Sequence, residues 1–207
     1  MTKDSDGRTV YLLTYSVRGV GLVNYDVQYA YSYSPLGPYT KAAATEGKLI
    51  IGYDATNDFS KNLGHHCFVT VGDETWIVHS DQDPGFDTRA YALASVSWQW
   101  RSFAQADGGK REILIPVANG PTKTLQPLPE SVSGYRNVAS EADVSVSSGS
   151  GAKYLTDGTV TTTAFVSDME FKTNEDSVVI ELKFDEPQTI RGIYLYNSYT
   201  YSYAFNS

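Results

Sequence analysis

The stretch His65-His66-Cys67-Phe68-Val69-Thr70-Val71-Gly72-Asp73-Glu74-Thr75-Trp76-Ile77-Val78-His79-Ser80 decides the fold class. Two runs rich in β-branched and aromatic residues flank Val71-Gly72-Asp73-Glu74, whose turn chemistry joins them closely enough for a hairpin. The same texture continues on both sides. Period-2 alternation predicts further strands over Thr9 to Ser16, Tyr25 to Tyr33, Lys48 to Tyr53, Arg89 to Trp98 and Arg111 to Val117. No window of ten or more residues carries a 3.6-residue apolar stripe, so the chain reads as all-β.

Composition narrows the function classes. The 207 residues hold 16 Lys plus Arg against 24 Asp plus Glu, a net charge of −8. With a pI near 4.8 and singly spaced basic residues, the chain repels phosphate backbones, and no nucleic-acid partner is expected. Cys67 stands alone, so an intrachain disulfide and a Cys/His zinc site are both excluded. No apolar run approaches the roughly 18 residues of a membrane span, and no membrane partner is expected. Met1 to Arg8 lack the apolar core of a signal peptide.

A second texture begins beyond Gly120-Pro121. Gln126-Pro127-Leu128-Pro129 and Ser131-Val132-Ser133-Gly134 cannot form a central strand, which puts a domain boundary near Ser133, with domains 1–133 and 134–207. The tail carries net −5 against −3 for the body. Within it, Ser177 to Phe184 and Thr189 to Tyr196 alternate cleanly and predict two antiparallel strands turned at Asp185-Glu186-Pro187. Only 74 residues run from Gly134 to Ser207, fewer than the roughly 100 of a sandwich, so the second domain is expected to be incomplete.

Four segments in order resemble the last part of the five-bladed β-propeller of glycoside hydrolase family 43. They are Val10 to Ser16 with Val27 to Thr40, closed by Ser34-Pro35-Leu36-Gly37-Pro38-Tyr39; Asn62-Leu63-Gly64-His65-His66-Cys67-Phe68-Val69 with Val71 to His79; Arg89 to Trp98; and Gly120-Pro121-Thr122 with Gln126-Pro127-Leu128-Pro129. Blades are short antiparallel strands in series, as the alternation here suggests. The tail segments Tyr135 to Ala139, Tyr154-Leu155-Thr156-Asp157-Gly158, Val179 to Leu182 and Ile190 to Asn197 resemble the start of a discoidin-type (coagulation factor 5/8 type C) sandwich, a common carbohydrate-binding module beside glycosidases. Thr159 and Phe165 stand where that family commonly has an acidic residue and a Trp.

The resemblance implies an inverting hydrolase of arabinose- or xylose-containing plant polysaccharides, secreted, with two Asp and a Glu as its catalytic groups. All three would precede Met1, so no catalytic acid or base is assigned, and the chain alone is expected to be silent. It implies that His65 lines the central channel, near a calcium ion reached through water, and that Arg89 donates to substrate hydroxyls. Asp157, with Thr162, would belong to a second calcium loop. No organic cofactor is implied.

Each residue also has a plainer reading. His65 can be a buried structural histidine, Arg89 a surface arginine, and for His66 and His79 the structural reading is preferred. Strand alternation puts His65 and Cys67 on one face, His66 and Phe68 on the other. Asp54, Asp58, Asp81, Asp83 and Asp87 read as solvated loop acids, and Trp76, Trp98 and Trp100 as core rather than sugar-stacking residues. The tyrosines from Tyr194 to Tyr203 read as strand and loop with exposed edges. Apolar surface is expected around Val10 to Ser16, where neighbouring blades would pack. Two other readings are a non-catalytic carbohydrate-binding or adhesion protein, and an unrelated β-domain closed as a barrel or sandwich.

Overall fold

The computed structural model describes residues 1–18, 25–52, 62–82, 89–105, 108–121, 126–158 and 171–195. The fold is all-β: eleven strands lie in antiparallel sheets, with one single-turn α-helix and three short 3-10 helices among the described residues. The first sheet has the order β1 (Thr2–Lys3), β2 (Thr9–Val17), β3 (Asp26–Ser32) and β4 (Thr40–Lys41), with β5 (Leu49–Ile51) also pairing with β3. The second is a meander of β6 (Cys67–Val71), β7 (Glu74–Asp81), β8 (Ala90–Ala104) and β9 (Lys110–Ala118). Neither closes into a barrel.

The expected hairpin is present. Val71 pairs with Glu74, and Gly72 has φ +61° at the first central position, where a Cβ would be strained. Six of the seven body strands match their expected spans to within two residues. Among them β6 starts at Cys67 because His65 leaves the extended region, and the exception is β8, which runs on to Ala104.

That extension reshapes the second sheet. Residues 90–95 of β8 pair with β7, and residues 96–104 pair with β9. Over 15 residues the strand twists enough to present opposite faces to the core, so Ala94 and Phe103, of opposite parity, are both fully buried. Trp98 and Trp100 share the parity of Ala94 but fall beyond the change, and they stand 42% and 52% exposed. Their expected core role is therefore corrected, whereas Trp76 is buried as expected.

One apolar core joins both sheets. Val10, Val27, Tyr29, Tyr31, Ile50 and Ile51 from the first meet Ile77, Ala94, Phe103, Ile113 and Ile115 from the second. The Phe103 ring lies 4.8 Å from that of Tyr31 and edge-on to Tyr29 at 6.3 Å. Val10 is fully buried and Leu12 packs on the core, so of the apolar surface expected around Val10 to Ser16 only Leu13 is markedly exposed.

A polar strap closes one side. Asp4 bridges to Ile113, Ser5 N–H donates to the Glu112 carbonyl at 2.9 Å, and the Thr2 hydroxyl to that of Leu114 at 2.7 Å. The Asp4 carboxylate is fully buried. It accepts the N–H groups of Asp6 and Arg8 at 3.0 and 2.8 Å, Arg8 Nε at 2.9 Å and the Tyr33 hydroxyl at 3.1 Å, with Arg111 Nε at 3.7 Å.

The tail differs in texture. The helix α1 (Glu130–Ser133) ends where Gly134 N–H returns to the Glu130 carbonyl. Beyond it, β10 (Asp143–Val146) pairs with β11 (Ile180–Lys183). The hairpin expected at Asp185-Glu186-Pro187 is absent: residues 189–195 are in no strand, and Tyr196 lies outside the described residues. The first of the two expected strands survives as β11, but its partner is β10 from earlier in the chain and not residues 189–195. Val179, Ile190, Ile193, Tyr194 and Leu195 are consequently exposed.

Candidate functional site

Antiparallel pairing places the start of β6, the end of β7 and the start of β8 at one end of the second sheet. Cys67 pairs with Val78, Asp81 pairs with Ala90, and Ser80 N–H donates to the Gly64 carbonyl at 3.0 Å. His65, two residues before Cys67, and Arg89, one before Ala90, therefore emerge at the same end, and both side chains are exposed. The buried reading of His65 is corrected. Asp157 does not join them: it is exposed in the bend before Gly158, whose carbonyl accepts the hydroxyl of Ser97, midway along β8. Thr162, Asp54, Asp58, Asp83 and Asp87 lie outside the described residues.

The segment entering β6 is held in an unusual shape. Asn62 and His65 have φ of +56° and +55°, a left-handed conformation that residues with a Cβ rarely adopt. Between them, Gly64 lies flat on the Tyr25 ring, and a Cβ there would come within 2.6 Å of ring carbons. The Ser80 hydroxyl bridges the carbonyls of Gly64, at 2.9 Å, and Asn62, and the Asn62 amide reaches Gln82. From the other sheet, Ser16 Oγ accepts His65 N–H at 2.9 Å, and Thr14 Oγ1 lies 2.9 Å from His66 Nε2.

Beneath this surface, polar groups are buried without partners. His66 Nδ1 and Asp81 Oδ1 have none among the described residues. His79 is fully buried, its Nδ1 donating to the Ser80 carbonyl at 2.8 Å. Burial lowers the His66 pKa, as do the neighbouring His79 and His65. Burial also lowers that of His79, opposed by its bond to Ser80 and by the Asp81 charge. His79 is structural, as expected, and Asp81 is a partly covered strand-end acid rather than a solvated loop carboxylate.

In chemical terms the end offers an exposed imidazole and an exposed guanidinium over a strained, hydrogen-bonded turn. Both can bond hydroxyls. Among the described residues no group of three or more His, Cys, Asp or Glu side chains is placed to hold a metal ion. Sequence reasoning missed Thr14, Ser16 and the Asp4 strap. The first two carry no local signal, whereas Asp4-Ser5-Asp6-Gly7-Arg8 is a legible Asx-type turn.

Comparison with known proteins leaves the chain without an assigned relative: no family model fits it, and no curated protein or solved structure matches it significantly. Among the described residues no helix is long and apolar enough to cross a membrane.

Proposed function

We propose that the chain is a carbohydrate-recognising part of a secreted hydrolase similar to glycoside hydrolase family 43, acting on arabinose- or xylose-containing polysaccharides, with a discoidin-like module in 134–207. The observation that carries this reading is the emergence of His65 and Arg89 at one end of a single antiparallel meander. Two successive meanders packed over a common core are what consecutive blades would supply. The Asp4–Ile113 bridge is a link that radial blades do not require.

In this reading Arg89 donates several hydrogen bonds to a polyol, and His65 contributes one more or orders water around a calcium ion, which prefers oxygen ligands. The chain supplies recognition and not the acid and base, so binding occurs without the differential transition-state stabilisation that turnover needs. The exposed Trp98 and Trp100 on one face of β8 favour a second reading, a non-catalytic carbohydrate-binding or adhesion protein.

Affinity electrophoresis in arabinoxylan and arabinan, with a chromogenic arabinofuranoside assay, tests both. The first reading expects retardation without turnover, at least about fivefold weaker in His65→Ala and Arg89→Ala, as for loss of a bond of about 1 kcal/mol. Loss in Trp98→Ala with both of those variants unaffected favours the second. Absence of retardation refutes both.

A further inference from the structure

We propose that Ser16 and Thr14, both on β2 of the first sheet, are positioning residues that clamp the His65 turn of the second sheet into its binding shape. The ligand class rests on the proposed function; the clamp stands on geometry alone. The two residues are two apart on one strand and so share a face, and they engage consecutive residues, His65 and His66.

The Ser16 contact acts on backbone shape. His65 has φ +55° and lacks the freedom of glycine, so its conformation persists only where the surroundings hold it. Its N–H has Ser16 Oγ as acceptor at 2.9 Å. Without that acceptor the residue is free to return to the extended region, and continued alternation from Cys67 then redirects the imidazole. Gly64, pressed on Tyr25, and Ser80, bound to the Gly64 carbonyl, hold the preceding residue, so the freedom regained falls on His65.

The Thr14 contact acts on the ring of His66. His66 Nδ1 is buried without a partner, and Nε2 has Thr14 Oγ1 at 2.9 Å. A buried N–H without an acceptor is tolerated less readily than a bare lone pair. The geometry therefore assigns the proton to Nε2, which donates to Thr14. Neither Ser16 nor Thr14 needs to touch the saccharide. Recognition depends on them through the shape of a turn that the other sheet supplies.

The test uses the 15N-labelled chain with arabinoxylan as the probe, in wild type, Ser16→Ala, Ser16→Thr and Thr14→Val. Ser16→Ala is expected to exchange the His65 amide at least about tenfold faster and to lose retardation in arabinoxylan, while Ser16→Thr, which keeps the hydroxyl, restores both. Thr14→Val is expected to convert the His66 ring from one tautomer in its 15N spectrum to a mixture. Unchanged His65 exchange in Ser16→Ala, or an unchanged His66 spectrum in Thr14→Val, overturns the clamp. If wild type itself is not retarded, the saccharide reading fails and exchange and ring spectra alone decide. Should Ser16→Ala not fold, Ser16→Thr and the near-isosteric Thr14→Val carry the test.

Discussion

The Asp4 strap and the His65 turn are both polar, both join the two sheets, and are built to opposite rules. At Asp4 a fully buried carboxylate takes three N–H donors and a hydroxyl, with Arg111 close by, in relaxed geometry. At His65 two residues with a Cβ are left-handed, and the buried His66 Nδ1 and Asp81 Oδ1 at the same end of the sheet lack partners among the described residues. Satisfied buried polar groups rigidify, whereas orphaned and strained ones persist only where something else is gained. The first region is fastening and the second is the candidate site.

The sharpest way to break this comparison is to remove the fastening. Asp4→Ala leaves the Tyr33 hydroxyl and two backbone N–H groups without their acceptor, while Arg8, half exposed, can turn to water. The expected loss is about 2 to 3 kcal/mol, read as a lower denaturant midpoint, because hydrogen bonds to a charged group are the strong ones. Arabinoxylan binding by the remaining folded protein should be unchanged. A midpoint within error of wild type would show that the strap does not fasten the sheets. Burial tends to raise the Asp4 pKa, but the Arg8 N–H, the Tyr33 hydroxyl and the Arg8 charge together hold it below 3.8. The strap's contribution is therefore full above pH 3.8 and lost as pH falls through the lower folded value.

Gly64→Ala attacks the other region with a smaller expected effect. The new Cβ would meet ring carbons of Tyr25 at 2.6 Å, and a ring held in a packed site gives way only by moving the turn. A cost of about 1 to 2 kcal/mol is expected, with loss of retardation in arabinoxylan out of proportion to it. Gly7→Ala is the control, since its Cβ meets nothing within 4 Å. At φ +79° it should cost only about 1 kcal/mol and leave binding intact. If Gly64→Ala binds as wild type does, the shape of the turn is irrelevant to recognition.

The two regions were unequally legible. Hairpin chemistry at Gly72-Asp73 and strict alternation exposed the strands, because a strand's side-chain period is a local property. Alternation could not show that β8 changes its core-facing side near Val96, since twist accumulates over the whole strand and the switch of partner from β7 to β9 is set by the tertiary fold. Trp98 and Trp100 were misread for that reason. His65 and Arg89 were legible one at a time, through motif resemblance, and their shared end needs the β7–β8 register as well as the hairpin. Ser16 and Thr14 were invisible, because their partners lie 49 and 52 residues away. The tail hairpin failed for a related reason: alternation was present on both sides, but the strand over Ile180–Lys183 takes its partner from β10, a pairing that is set by the tertiary fold.

The smallest expected effect separates the regions by pH. His66 and His79 both have pKa values lowered from 6.5, chiefly by burial. Near neutral pH neither the folded nor the unfolded chain holds the extra protons, and the stability of the turn is complete. As pH falls through 6.5 the unfolded chain takes up protons first, so stability declines until the folded pKa values are passed. Asp4 stays ionised throughout that window, which confines the loss to the histidine side of the molecule. Denaturant midpoints should therefore fall as the pH is taken from about 7.5 to about 5. His79→Gln, which keeps a side-chain donor for the Ser80 carbonyl, should flatten the slope, and Asp4→Ala should leave it unchanged. A slope that survives in His79→Gln and His66→Gln together would mean that these histidines are not held neutral by burial. The contrast between a relaxed fastening and a strained site would then lose its electrostatic half.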